Sequence, residues 1–278
     1  MKLFRHGPPG FERAGALDAK GVKRDLSLLV PDITPDWLAP EKLRAIGAVD
    51  LNKMPVVSET TRIGAPIHGT RQFIAIGVNY RRHAAESGMP IPKHPVVLNK
   101  AITCIQGPND DVVQPEGSDT LDWEAELAVV IGVKAQRVRV ENALSHVAGY
   151  CLANDVSERD WQVNRSGQWV KGKSFDTFGP LGPWLVTADE IADPQQLPLT
   201  LAVNGAVRQK GNTSDMIFSV AEIVSHLSQF MTLLPGDVIA TGTPEGVGAG
   251  MKPPEFLKHG DVVELDGGVL GVQRQRVV

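Results

Sequence analysis

Two glutamates one residue apart, Glu124 and Glu126, stand at the head of the apolar run Leu127-Ala128-Val129-Val130-Ile131-Gly132. The run is rich in β-branched residues and ends at glycine, which reads as a buried strand. Side chains two apart in a strand point to the same side. Two carboxylates on one side of a buried strand repel each other, and burial penalises their charged forms. A hard divalent cation, bound through oxygen, relieves both costs. A Glu-x-Glu pair is expected about once by chance in a chain of this length, so the pair alone also fits an exposed strand edge.

Other residues have the types and spacing to join such a site. Asp155 ends the run Gly149-Tyr150-Cys151-Leu152-Ala153-Asn154, a further expected strand. It is either a third ligand or the cap of the helix expected over 157–162, which Ser157 would otherwise cap. Three carboxylates leave about three of the six positions around Mg²⁺ open to water or substrate, a catalytic rather than a structural pattern. His83 and Glu86 lie three apart on a short helix expected within 79–88, where a carboxylate can orient a histidine as general base. A surface ion pair is the plainer alternative. Arg159 and Gln162 follow Asp155 within one turn and either clamp a carboxylate or carbonyl or belong to a solvated helix face. Lys173, between Gly172 and Ser174, can approach a substrate closely, and no phosphate-loop pattern surrounds it. The segment Thr241-Gly242-Thr243-Pro244-Glu245-Gly246-Val247-Gly248 follows another expected strand, and its glycines would expose backbone N–H groups to an oxyanion or carboxylate. It lacks the order of a dinucleotide fingerprint.

The elements that must hold these residues read as many and short. The chain has 278 residues with 20 prolines and 28 glycines, which favours turns and short strands over a helical bundle. The expected class is α+β and β-dominated, a mixed β-roll, with a small N-terminal domain over 1–69 and the main domain over 70–278. A strand is expected at 72–77, a hairpin about Asn204-Gly205, and a helix over 220–231, where Val220, Ile223, Val224, Leu227 and Met231 keep helical spacing. Lys and Arg total 28 against 32 acids, a formal charge of -4, which argues against a nucleic-acid partner. No apolar stretch reaches membrane-span length, and the charged start Met1-Lys2-Leu3-Phe4-Arg5-His6 has no signal-peptide core, so a cytoplasmic protein is expected. Cys104 and Cys151 read as buried thiols without a redox role.

Taken in order, several segments resemble the fumarylacetoacetate hydrolase family. They are Gly77-Val78-Asn79-Tyr80-Arg81-Arg82-His83, Asp122-Trp123-Glu124-Ala125-Glu126-Leu127, Asn154-Asp155-Val156-Ser157-Glu158-Arg159-Asp160, Gly172-Lys173-Ser174-Phe175-Asp176, and Pro235-Gly236-Asp237 through Thr241-Gly242-Thr243-Pro244. They span nearly all of the chain after Gly69. The resemblance implies a mixed β-roll around a Mg²⁺ or Mn²⁺ site, usually in a homodimer. It places the metal ligands on Glu124, Glu126 and Asp155, and the catalytic histidine on His83 with Glu86 as its acidic partner. The family lysine falls on Lys173, and the substrate contacts on Tyr80, Arg159, Gln162, Gly242 and Thr243. Two departures matter. Larger relatives carry a fourth metal-site carboxylate before the histidine segment, where Gly77-Val78-Asn79 has none. Acylpyruvate hydrolases often have an aromatic residue and a proline about the lysine matching Lys100, where Leu98 and Ala101 stand here.

The implied activity is hydrolysis of a carbon–carbon bond in a β-diketo acid, releasing pyruvate. The substrate would be a 2,4-diketo-3-deoxy sugar acid, such as diketo-deoxyrhamnonate or diketo-deoxyfuconate, or an acylpyruvate. The alternatives are an oxaloacetate decarboxylase or a hydroxymuconate-type isomerase at the same metal site, and, further off, a non-catalytic ligand-binding module.

Overall fold

The computed structural model describes residues 1–278. Its centre is the strand Ala125–Ile131, buried at every position. An uninterrupted apolar strand of this kind needs neighbours on both edges and cover on both faces. Val147–Asn154 pairs with it antiparallel on one edge, and Val238–Ala240 pairs antiparallel on the other. Beyond Val238–Ala240 comes Phe73–Gly77, parallel to it, and then Val96–Lys100. Beyond Val147–Asn154 come Gly179–Thr187, Lys2–His6, Arg13–Leu17 and Lys23–Asp25, in an 11-stranded sheet. A second sheet of four strands has the order Ala206–Asn212, Pro198–Val203, Val262–Asp266 and Val272–Arg276. The fold is the strand-rich α+β type expected from the sequence.

The N-terminal 69 residues supply Lys2–His6, Arg13–Leu17, Lys23–Asp25 and Ile63–Gly64 to the large sheet. Leu3, Leu26 and Ile46 join the same apolar core as Val129 and Leu152. A folding boundary at 69/70 is therefore a proposal about folding units within one continuous sheet.

The expected hairpin turns at Asn204-Gly205, with φ of 51° and 78°, as its favoured two-residue turn requires. The expected helix is Val220–Phe230, opened by a capping box in which Ser219 and Glu222 satisfy each other's backbone N–H groups. One expectation fails. Ser157 does not cap a helix: Ser157–Glu158 is a two-residue strand paired with Leu121–Asp122, and the Ser157 hydroxyl donates to the Asp155 carbonyl at 2.8 Å. The helical turn begins only at Asp160. Both cysteines are buried and free, and burial pushes the Cys104 thiol up to about 11 and that of Cys151 up to about 12. No helix is long and apolar enough to cross a membrane.

Candidate active site

Strand register brings the three carboxylates together. In the antiparallel pair, Ala153 stands opposite Glu126 and Asn154 opposite Ala125. The pairing continues one step further, with the Asp155 N–H donating to the Glu124 carbonyl at 2.9 Å. Glu124 just precedes its strand and Asp155 just follows the other, so both fall at the same end of the pair. Oxygens of Glu124, Glu126 and Asp155 lie within 4.8 Å of one another, and all three residues are buried. The Asn154 carboxamide pins this end by accepting the Glu124 N–H at 3.1 Å.

Two buried lysines and the half-buried Arg159 neutralise most of this charge. Lys173 Nζ reaches Glu124 Oε2 at 2.7 Å and Asp155 Oδ2 at 2.6 Å. Lys100, from the strand Val96–Lys100, donates to Asp155 Oδ1 at 2.5 Å. Arg159 donates from Nε to Asp122 Oδ2 at 2.8 Å, and its Nη1 lies 2.7 Å from Glu124 Oε1. Four carboxylates, counting Asp122, thus face three cations. Glu126 is the one no cation holds: its only hydrogen bond is from the Gly242 N–H, at 2.7 Å. Burial pushes the Glu126 carboxyl well above its ordinary range, and Asp155 and Glu124 add to the shift. Burial also works against Glu124, but Lys173 and Arg159 outweigh it and hold that carboxyl low. Burial disfavours the Lys173 ammonium too, and Asp155 and Glu124 more than restore it. An all-oxygen donor set with one uncompensated negative charge fits a hard divalent cation on Glu124, Glu126 and Asp155.

The turn that carries Lys173 approaches unusually closely. A Cβ on Gly172 would lie 2.3 Å from the Glu158 carbonyl oxygen and 2.5 Å from the Gln162 nitrogen, so only glycine lets Val170–Lys173 reach inward. From the second sheet, Gln209 braces the opposite side. Its Oε1 accepts the Ala125 N–H at 2.9 Å, and its Nε2 donates to Thr243 Oγ1 and the Pro244 carbonyl, each at 2.8 Å.

A cavity of about 500 Å³ opens beside the carboxylates. His83, Glu86, Glu124, Glu126, Asp155, Arg159, Gln162, Lys173 and Thr243, all singled out from sequence, line it. His83 and Glu86 sit on the helix Arg81–Glu86, with Nδ1 3.3 Å from Glu86 Oε2. Glu86 is held in turn by the Gly246 N–H at 2.9 Å. The segment that follows this helix touches the cavity through Ser87 and Met89.

Two expected substrate contacts, Tyr80 and Gly242, are placed otherwise, and Arg159 lines the cavity but is already paired. Tyr80 is fully buried and does not line the cavity. The Gly242 N–H is committed to Glu126, and the Thr241 N–H to the Leu127 carbonyl at 3.0 Å, which leaves Thr243 as the one amide of that trio without a partner. The Arg159 guanidinium is engaged by Asp122, Glu124 and the Gln162 carboxamide, so it shapes the carboxylate cluster more than it waits for a substrate. Residues that sequence patterns did not single out as site residues are Lys100, Asp122 and Gln209. A lysine closing the strand Val96-Val97-Leu98-Asn99-Lys100, at a position the family resemblance also matched, was the available signal for Lys100. Asp122 lies two residues before Glu124 and also takes the N–H groups of Gly248 and Ala249, at 2.7 and 3.0 Å.

Known proteins resemble this chain over nearly its whole length. A family model described as "Fumarylacetoacetate (FAA) hydrolase C-terminal" matches residues 72–278. A relative from Burkholderia cenocepacia (strain HI2424), named only as a hydrolase, is 56% identical over 277 residues, 99% of this chain and 98% of that protein. Among solved structures, the fumarylacetoacetate hydrolase of Exiguobacterium antarcticum is 38% identical with a TM-score of 0.88, covering 100% of this chain and 99% of that one. A probable 2-hydroxyhepta-2,4-diene-1,7-dioate isomerase from Mycobacterium abscessus is 36% identical with a TM-score of 0.85, covering 100% and 98%. A maleylpyruvate hydrolase from Sphingobium sp. SYK-6 is 29% identical with a TM-score of 0.83, covering 100% and 99%.

Proposed function

This chain belongs to the fumarylacetoacetate hydrolase family, and from that premise we propose that it is a divalent-cation-dependent hydrolase that splits a carbon–carbon bond in a β-diketo acid and releases pyruvate. The observation that carries the proposal is the meeting of two assemblies in one cavity: the Glu124–Glu126–Asp155 cluster and the His83–Glu86 pair. The substrate class is a 2,4-diketo-3-deoxy sugar acid or an acylpyruvate.

A Mg²⁺ or Mn²⁺ ion on Glu124, Glu126 and Asp155 would supply a Lewis acid for the keto-acid end of the substrate. With its Nδ1–H kept and donated in a hydrogen bond to Glu86, His83 presents Nε2 as a base. It takes a proton from water, whose oxygen adds to the distal carbonyl carbon. The Thr243 N–H is the free amide at hand for the oxygen of that carbonyl as it gains charge. The bond between this carbon and the neighbouring methylene then breaks, and its electron pair leaves with pyruvate as the enolate. His83 returns the proton to the enolate carbon, so the products are pyruvate and one carboxylic acid. Lys173 and Arg159 keep Glu124 ionised throughout, and Lys173 and Lys100 pair with Asp155.

Incubation of the purified chain with Mg²⁺ and a panel of acylpyruvates, diketo sugar acids and oxaloacetate, scored for pyruvate, tests the proposal. Cleavage of a diketo acid, lost on chelation and in His83→Ala, supports it. Decarboxylation or isomerisation with no diketo-acid cleavage overturns it. The likeness to a protein named as a dioate isomerase supports a second reading, in which the same site moves protons without an attacking water. The assembly proposed with this function is a homodimer in the cytoplasm, and light scattering on the purified chain reads the subunit number.

A further inference from the structure

The charged groups lining the cavity divide into two sets. Arg159 and Lys173 are held by Asp122, Glu124 and Asp155. The third cation on the wall, Lys252, forms no ion pair and donates no side-chain hydrogen bond within the chain, and it is exposed. It follows the turn Gly248–Gly250, the segment whose amides Asp122 holds, and precedes Pro253 and Pro254. Its backbone is therefore anchored while its ammonium is unpaired.

Much of the remaining wall is apolar. Met89, Leu98, Val163, Trp169, Val247 and Met251 line it, with few polar side chains among them. A hydroxylated tail lying there would lose water without gaining matching partners, and such a mismatch costs more than a lost apolar contact. An apolar spacer would not, and a negative charge at its far end would meet Lys252.

We propose that Lys252 is a specificity-determining residue, which selects β-diketo acids whose distal arm is an apolar spacer ending in a second carboxylate. This rests on the hydrolase reading for the reaction and on the cavity wall for the selection. It favours a dicarboxylic acylpyruvate over the polyhydroxylated sugar acids that the family resemblance also implies.

The test is a matched pair of substrates of the same backbone length: succinylpyruvate, which carries the second carboxylate, and butanoylpyruvate, which does not. For the Mg²⁺-loaded full chain, kcat/KM should be higher for succinylpyruvate. In Lys252→Met that preference should shrink about twofold to fivefold, the size of a solvent-accessible ion pair, with the change in KM rather than kcat. Lys252→Arg should restore it. A preference unchanged in Lys252→Met, or an equal loss on both acids, overturns the assignment, because the lysine would then be idle or would serve the shared keto-acid end. If neither acid yields pyruvate, it is the hydrolase reading that fails. Calorimetric binding of the two acids to the wild type and Lys252→Met then still decides the role of Lys252 by the same ratio.

Discussion

Replacing Glu126 by glutamine should separate the stability of the metal-free protein from its response to a cation. Four buried carboxylates at the site face three cations, and Glu126 is the one without a cationic partner. The substitution keeps the shape and an oxygen to accept the Gly242 N–H, and it removes the charge that burial and two neighbouring carboxylates disfavour. The metal-free variant should therefore be as stable as the wild type or more so, by about 0–2 kcal/mol. The cation response should move the other way. At a Mg²⁺ or Mn²⁺ concentration of about one hundred times Kd, the wild type should gain about 2.7 kcal/mol. At about 2–4 °C per kcal/mol for a chain of this size, Tm should rise by about 5–10 °C. Loss of one ligand of three should weaken binding by about 100-fold or more. The same concentration then adds at most about 0.4 kcal/mol, or about 1–2 °C. Thermal unfolding of chelator-treated protein, titrated with each cation, reads both quantities. Equal cation-induced shifts in Glu126→Gln and the wild type would refute the assignment of Glu126 as a ligand. A large drop in the Tm of the metal-free variant would refute the charge count.

Other perturbations reach the supporting structure. Lys100→Met leaves Asp155 without one of its two buried cations and should cost about 3–5 kcal/mol in urea unfolding of the metal-free protein. Gly250→Ala should displace the Glu86 side chain, because its Cβ would lie 2.5 Å from the Glu86 carboxyl carbon. The expected result is a fall in kcat of about tenfold or more with the cation-induced Tm rise retained, since Glu86 acts on His83 and not on the carboxylate cluster. Ser219→Ala removes the capping box of Val220–Phe230, away from the cavity, and should cost about 1 kcal/mol with kcat/KM unchanged.

Local chemistry makes much of this protein legible in its sequence. The apolar run after Glu126 points to a buried strand, because a short β-branched segment ending at glycine suits the covered interior of a sheet. Helical spacing after Ser219, and the Asn-Gly pair at 204–205, dictate a helix and a hairpin by backbone preference alone. The spacing of Glu124 and Glu126, and of His83 and Glu86, identifies groups that could act together, since each pair shares a face by the period of its own element. What sequence could not supply was the balance of charge among residues far apart in the chain. Lys100 meets Asp155 across 55 positions, and Arg159 meets Asp122 across 37. Those meetings depend on strand order and register, which set whether Arg159 awaits a substrate or is already occupied, and whether Glu126 has a partner. Tertiary structure also decided that Gly242 serves Glu126, and that Lys252 remains an unpaired cation on the cavity wall. A side chain's chemistry is written in its type, but its available charge and hydrogen bonds are what remain after the fold has used the rest.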